Sequence, residues 1–188
     1  NKDYRGTDKK EYTGADFDNY TVFSLWDTYR AAHPLYTILQ PERVPDFIRS
    51  MLAIYEQQGL LPVWHLYGSD TKEMIGIQSV PVIADAILKG VPGFDYEKAF
   101  EAMKSSMLSN YKGLEYLKEG NYIPADREKE SVAKGLEYAI ADWGVAQVAK
   151  KLGKEEDYRW FKARSENYRE YWDKKTHFFR GKNVDGTW

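Results

Sequence analysis

Apolar positions in this chain return every three or four residues over most of its length, the spacing of helices that bury one face. The first twenty residues are the exception. Rich in Asp, Lys, Gly, Asn and Tyr and without a helical period, they predict loop or short extended structure. A first helix is predicted from Trp26 to Leu39, interrupted or re-aimed at Pro34. "PERVPDFIRSMLAIYEQQG" predicts a second, with Pro45 in its first turn, Phe47, Met51, Leu52 and Tyr55 along one stripe, and Gly59 as its stop. A loop of extended character, "LLPVWHLYGSDTKEMIGIQ", leads to "SVPVIADAILKG", where Ser79 is the expected cap, Pro81 comes early and Gly90 ends the element. That helix is apolar nearly all round, which predicts burial on most sides.

Farther along, "DYEKAFEAMKSSMLSN" starts at an Asp cap and "LEYLKEG" reads as a short turn or helix ending at Gly120. "ESVAKGLEYAIADWGVAQVAKKLG" predicts a long helix with Val132, Leu136, Ala139, Ile140, Trp143 and Val148 facing inward and Gly153 as its stop. "KEEDYRWFKARSENYREYWDKKT" follows within a residue or two, so the pair is expected to form a helical hairpin. The closing "HFFRGKNVDGTW" has a turn signal at Asp185-Gly186 and reads as an extended strand or arm. No strict repeat is present, yet helix pairs recur at roughly forty-residue spacing. A mainly α body of stacked hairpins follows, either an open solenoid or an arc of a closed α/α toroid.

Composition narrows the classes. With 188 residues, 43% hydrophobic and 30% charged, the chain can bury a core, and a net charge of −2 without a basic run argues against a nucleic-acid face or a polybasic membrane patch. It has no Cys, so disulfides, thiolate metal sites and Cys nucleophiles are excluded. No apolar stretch approaches the roughly 18 residues of a membrane span, and "NKDYRGTDKKEY" has neither the apolar centre nor the cleavage pattern of a signal peptide. The chain opens without Met, which fits a processed or excised piece. Aromatics reach 15%, with six Trp and fifteen Tyr; such rings fill cores or form platforms for sugars.

Glycine-rich dinucleotide fingerprints, a phosphate loop, a His-Glu-x-x-His helix and a nucleophile elbow are all missing. His33, His65 and His177 are too scattered to propose a zinc cluster, and each reads as a lone structural or surface residue. Two stretches hold more chemistry. In "FSLWDTYRAAHPL", Asp27 and Arg30 stand three apart among Leu25, Trp26 and Tyr29, a spacing that puts both on one helix face and lets them pair. In "LPVWHLYGSDTKEMIG", Trp64, His65, Tyr67, Ser69, Asp70, Thr71 and Glu73 crowd a loop that ends against the apolar helix. Carboxylates and an Arg that grip vicinal hydroxyls, beside a ring face that covers the C–H side of a pyranose, make a sugar site. The competing reading is a structural ion pair at Asp27 and Arg30, with Ser69 or Asp70 capping or turning the loop.

The run from Tyr20 to Gly90, followed by "ESVAKGLEYAIADW", closely resembles the catalytic domain of glycoside hydrolase family 92, the calcium-dependent, inverting, exo-acting α-mannosidases. Trp-Asp-Thr-Tyr-Arg at 26–30, Met-Ile-Gly at 74–76 and Leu-Glu-Tyr-Ala at 136–139 carry the resemblance, which spans most of the chain. It implies that residues 1–188 are part of an (α/α)6 toroid, with a preceding β-sandwich and the C-terminal part of the toroid outside this stretch. Asp27 is then expected to bind mannose in the −1 subsite, with Arg30, Trp26, Trp64 and Asp70 as further substrate-binding residues. The family's acid Glu, in a Thr-Glu-Gly-Asn type motif, and its base Asp, in a Gly-Asn-Asp-Asp type motif, are expected beyond Trp188, so no catalytic residue is assigned here. "KEGN" at 118–121 precedes the long helix, where the family has a connecting loop, and Glu119 reads as surface.

Calcium is implied as cofactor, with most ligands outside this chain and none assigned within it. A mannose-containing glycan is the implied partner, reached from a periplasmic, secreted or cell-surface location in a bacterium, and this piece would pack against the rest of its parent. Two departures from the family pattern bear on linkage preference. Gly68-Ser69-Asp70-Thr71 stands for the more usual Gly-Asn-Glu-Thr, and Ala141-Asp142-Trp143 for Asp-Asp-Trp. The alternative from another class is a non-catalytic helical carbohydrate-binding or scaffold module.

Overall fold

A computed structural model describes residues 2–188, of which about half are helical. The chain divides after Ser106 into two units, each with its own internal packing.

The first unit begins with two short antiparallel strands, β1 (Tyr4–Arg5) and β2 (Glu11–Tyr12), in which Tyr4 faces Tyr12 with the rings stacked at 5.1 Å. After β3 (Phe23–Ser24) come α1 (Leu25–Thr28) and α2 (Ala32–Leu39). The expected helical break is therefore real, but it lies at Ala31, one turn before Pro34. Proline has no N–H to give, so it is tolerated in a helix's first turn, where amides lack intrahelical partners. The chain accommodates Pro34 by starting a new helix just upstream of it.

Helix α3 (Val44–Gln58) matches its sequence signals: Pro45 lies in the first turn, Phe47, Met51 and Leu52 are buried, and Gly59 closes it at φ 74°. Strand β4 (Trp64–His65) leads to α4 (Ser79–Leu88), which packs against α2 and α3 and buries Val80, Val82, Ile83, Ala84, Ala86 and Ile87. Ser79 does not cap it. Gln78 holds the cap position in helical conformation, Val80 N–H donates to the Ile77 carbonyl, and the Ser79 hydroxyl is buried inside the first turn without a partner. Helix α5 (Tyr96–Met107) does have its Asp cap, since Asp95 Oδ1 accepts from the amides of Glu97 and Lys98 at 2.9 and 3.1 Å.

In the second unit a 3₁₀ turn (Tyr111–Gly113) and α6 (Leu114–Glu119) precede the long α7 (Ser131–Lys151). Gly153, at φ 73°, turns the chain into α8 (Glu155–Ser165), and the two helices form the expected hairpin. A 3₁₀ stretch (Glu166–Tyr171) then feeds β5 (Trp172–Asp173), paired antiparallel with β6 (Phe178–Phe179). Asp173 ties that turn together by accepting from Lys175 N–H, Thr176 Oγ1 and Arg180, and these contacts hold its carboxyl down at about 2.

The buried face of α7 differs from the predicted one. Ala139 and Val148 are buried as expected, but Ile140 and Trp143 are 45% and 49% exposed, and Lys134, Gly135, Tyr138, Asp142 and Val145 face the interior in their place. Polar residues are sheltered there because each has a partner. Asp142 receives both Nε and Nη2 of Arg164 from α8, at 2.7 and 2.5 Å, and Lys134 donates to Glu128 and to the Lys129 carbonyl. Burial pushes the Asp142 carboxyl up to about 6, against the downward pull of Arg164. Gly135 is where the Tyr171 ring lies against the helix; a Cβ there would stand 2.2 Å from the Tyr171 hydroxyl, which accepts from the Ile123 amide.

Candidate functional site

The two chemically rich stretches of the sequence are joined by backbone pairing. Ser24 lies opposite Trp64 and Phe23 opposite His65, and Val22 N–H donates to the His65 carbonyl at 2.9 Å. On its other side β4 continues into a tight hairpin: His65 bridges to Asp70, Leu66 and Ser69 exchange two hydrogen bonds, and Thr71 N–H reaches the Trp64 carbonyl. Tyr67 and Gly68 form the turn, both at positive φ (45° and 69°), the mirror-image turn that suits a two-residue hairpin. Gly68 is required a second way, because a Cβ would come within 2.5 Å of the Arg5 carbonyl oxygen.

Asp70 organises this hairpin. Its Oδ1 accepts from the amides of Trp64 (2.9 Å) and Lys72 (3.2 Å), and its Oδ2 from Gln58 Nε2 (3.0 Å) and the Val63 amide (3.2 Å). With four donors from the protein, the carboxylate is committed to the hairpin, and it fixes the strand that carries half-buried Trp64.

Asp27 is exposed at the end of α1 and accepts from Ser24 Oγ at 2.5 Å. Arg30 donates through Nε to the Trp26 carbonyl at 3.1 Å, and its guanidinium lies 4.6 Å from the Trp26 ring centre and 4.8 Å from that of Tyr29. The helical path continues through Tyr29 (φ −63°, ψ −26°) and breaks at Ala31, so Asp27 and Arg30 do share a face, but the contacts shown run from Arg30 to Trp26 and Tyr29 and from Ser24 to Asp27. Instead the aromatic neighbours orient the guanidinium, and Ser24 orients the carboxylate. The result is an exposed carboxylate, a hydroxyl and an aromatic-backed guanidinium on one short segment whose strand is paired with Trp64. Such a set can hydrogen-bond a polyhydroxyl ligand. It does not contain an acid–base pair.

Beneath lies an aromatic cluster that sequence reasoning missed. Phe23 is flanked by His33 at 4.8 Å and His65 at 5.7 Å, with Phe47 against Phe23 and His33. Burial pushes both imidazoles down to about 4, so they are neutral near pH 7; Asp70 pulls His65 slightly the other way. Their separation in sequence hid the cluster, and only the apolar company of His33 hinted at it.

A polar cleft of about 500 Å³ lies elsewhere in the first unit, where the ion pairs Arg49–Asp16 and Lys98–Glu56 line it; it includes none of the residues above. Among the described residues no three His, Cys, Asp or Glu side chains stand close enough together to hold a metal ion.

Residues 1–188 match the glycosyl hydrolase family 92 catalytic domain from end to end. The chain belongs to glycoside hydrolase family 92. Among solved structures it is similar to the family GH92 α-mannosidase BT3965 from Bacteroides thetaiotaomicron, at 48% identity and a TM-score of 0.96, with 100% of this chain and 26% of that one covered. The inverting GH92 mannosidase BT2199 of the same organism follows at 33% identity and 0.92, with 99% and 26% covered. A GH92 glycosyl hydrolase, ccman5, shares the fold at 18% identity and a TM-score of 0.67. A comparison with curated proteins gave no match. This GH92 chain thus spans about a quarter of the length of the mannosidases it resembles.

Proposed function

We propose that the protein to which this chain belongs is an inverting, exo-acting α-mannosidase that removes terminal mannose from glycans, and that residues 1–188 supply part of its substrate-binding wall. The observation that carries the reading is the 48% identity, over the whole of this chain, with a structure named as an α-mannosidase. That enzyme has also been seen in complex with mannoimidazole. In the proposed assembly this stretch is an arc of an (α/α)6 toroid, preceded by a β-sandwich and completed by segments that bring the acid and base. Asp27 accepts hydrogen bonds from mannose hydroxyls, Arg30 donates to the sugar or orients a carboxylate, and Trp26 and Trp64 line the hollow. Asp70 acts at one remove by fixing Trp64.

Inversion needs an acid that protonates the leaving oxygen and a base that activates water across the ring, about 6.5–9.5 Å apart. Neither is proposed among these residues. Calcium belongs to the proposal only at the level of the family: the described residues do not by themselves form a site for it. An α-1,2 linkage and a periplasmic or cell-surface location complete the proposal.

Asp27→Ala in the intact enzyme tests it. kcat/KM on α-mannobiose is expected to fall at least a hundredfold, about 2.7 kcal/mol of transition-state stabilisation. A loss below threefold would return Asp27 to a structural role. The 188-residue stretch expressed alone is expected to show no mannoside turnover, and turnover by it would place the acid and base within this chain.

A further inference from the structure

The second unit holds a cleft of about 240 Å³ between the end of α6 and the middle of α8, remote in sequence from the Asp27 and Trp64 segments. Lys118, Glu119 and Asn121 line one side; Trp160, Arg164 and Asn167 line the other. Arg164 is only 5% exposed, and its Nη1 is buried with no hydrogen-bond partner in the protein. Its other donors are used: Nε and Nη2 go to Asp142, and Nη2 also reaches the Met107 carbonyl at 2.8 Å. The guanidinium carbon lies 4.6 Å from the Trp160 ring centre, and that indole is 42% exposed. A rigid, buried donor without an acceptor in the wall of a cleft asks for an acceptor from a ligand.

We propose that this cleft is a second carbohydrate-binding site, taking one neutral pyranose unit of a glycan. Charge selects against an anion. Asp142 already answers Arg164, Lys118 Nζ is engaged by the Leu108 carbonyl and Asn110, and Glu119 adds a negative charge at the rim. What remains is suited to hydroxyls: two side-chain amides that donate and accept, one spare guanidinium N–H and an exposed indole surface for the C–H side of a ring. The size agrees, because the cleft falls just below the ~300–1,000 Å³ of pockets for drug-sized ligands. The site stands independently of the mannosidase reading, since it contains none of the residues proposed for the −1 subsite.

The test uses the intact protein in native gels containing α-mannan, with dextran and galactan in parallel and with mannoimidazole added to block the site at which it binds in the related α-mannosidase. Wild type is expected to be retarded by at least one of these polysaccharides. Asn167→Ala together with Asn121→Ala is expected to weaken that retardation at least tenfold, with the melting temperature and kcat/KM on α-mannobiose unchanged. Asn167→Arg, which fills the cleft, provides a second variant should the first be unstable. No retardation of wild type, or equal retardation of wild type and a folded variant, would overturn the proposal. Loss of retardation with hydrolysis intact separates this site from the catalytic one.

Discussion

Single side chains decide how the candidate site is held. Asp70 accepts four hydrogen bonds, from the amides of Val63, Trp64 and Lys72 and from Gln58 Nε2, which also reaches the Leu60 carbonyl. Asp70→Ala is expected to cost about 2–4 kcal/mol, as several partly buried donors lose one acceptor. It should also raise KM for mannosides more than it lowers kcat, because Trp64 is loosened rather than removed; a variant with unchanged stability and KM would contradict this. Asp142 follows the logic of buried ion pairs. Asp142→Ala strands the Arg164 guanidinium and is expected to destabilise the second unit by about 3–5 kcal/mol, measured by denaturant unfolding, with Asp142→Asn milder. Neither role was readable from local sequence. Asp70 looked like a loop residue or a ligand contact, and its four donors converge only when Gln58 and the Trp64 strand fold beside it. Asp142 stood in a helix whose apolar neighbours, Ile140 and Trp143, pointed the pattern the wrong way.

Elements read more easily when their signals are local. Helix α3 announced itself through Pro45 and Gly59, and α5 through Asp95, because propensity and capping act within one turn. The hairpin at 64–71 was hidden since Tyr67, rather than Asn or Asp, occupies its first left-handed position. Pairing of β3 with β4 was hidden as well, being fixed by the packing of Phe23 between two histidines. That packing has a pH signature. Both imidazoles are depressed from an ordinary value near 6.5 to about 4, so the unfolded segment binds more protons than the folded one between those values. The stability tied to the neutral imidazoles is therefore fully present above pH 6.5 and is lost as pH falls toward 4, by on the order of 2–3 kcal/mol per histidine. Hydrogen exchange of the Val22 amide, corrected for intrinsic rate, should lose protection over that range. His65→Phe should flatten the dependence; an unchanged slope in both His65→Phe and His33→Phe would argue that the imidazoles are not its source.

At the scale of the whole molecule, the mainly α character was visible in the three-to-four-residue periodicity, and the family in short motifs around Asp27, Gly76 and Tyr138. The exposure of Ile140 and Trp143 on α7, beside half-buried Leu136, could not be foreseen, because a periodic pattern reports apolarity and not which neighbour covers it. One feature of the first unit also governs when the site can exist. Ser24 and Trp64 are partners across about forty residues, whereas α7 meets α8 through a link of only a few. On a ribosome, Asp27 emerges before the strand that pairs with its own segment, so a pause or nick within α3 is expected to leave the proposed sugar-binding carboxylate without the pairing that sets it beside Trp64.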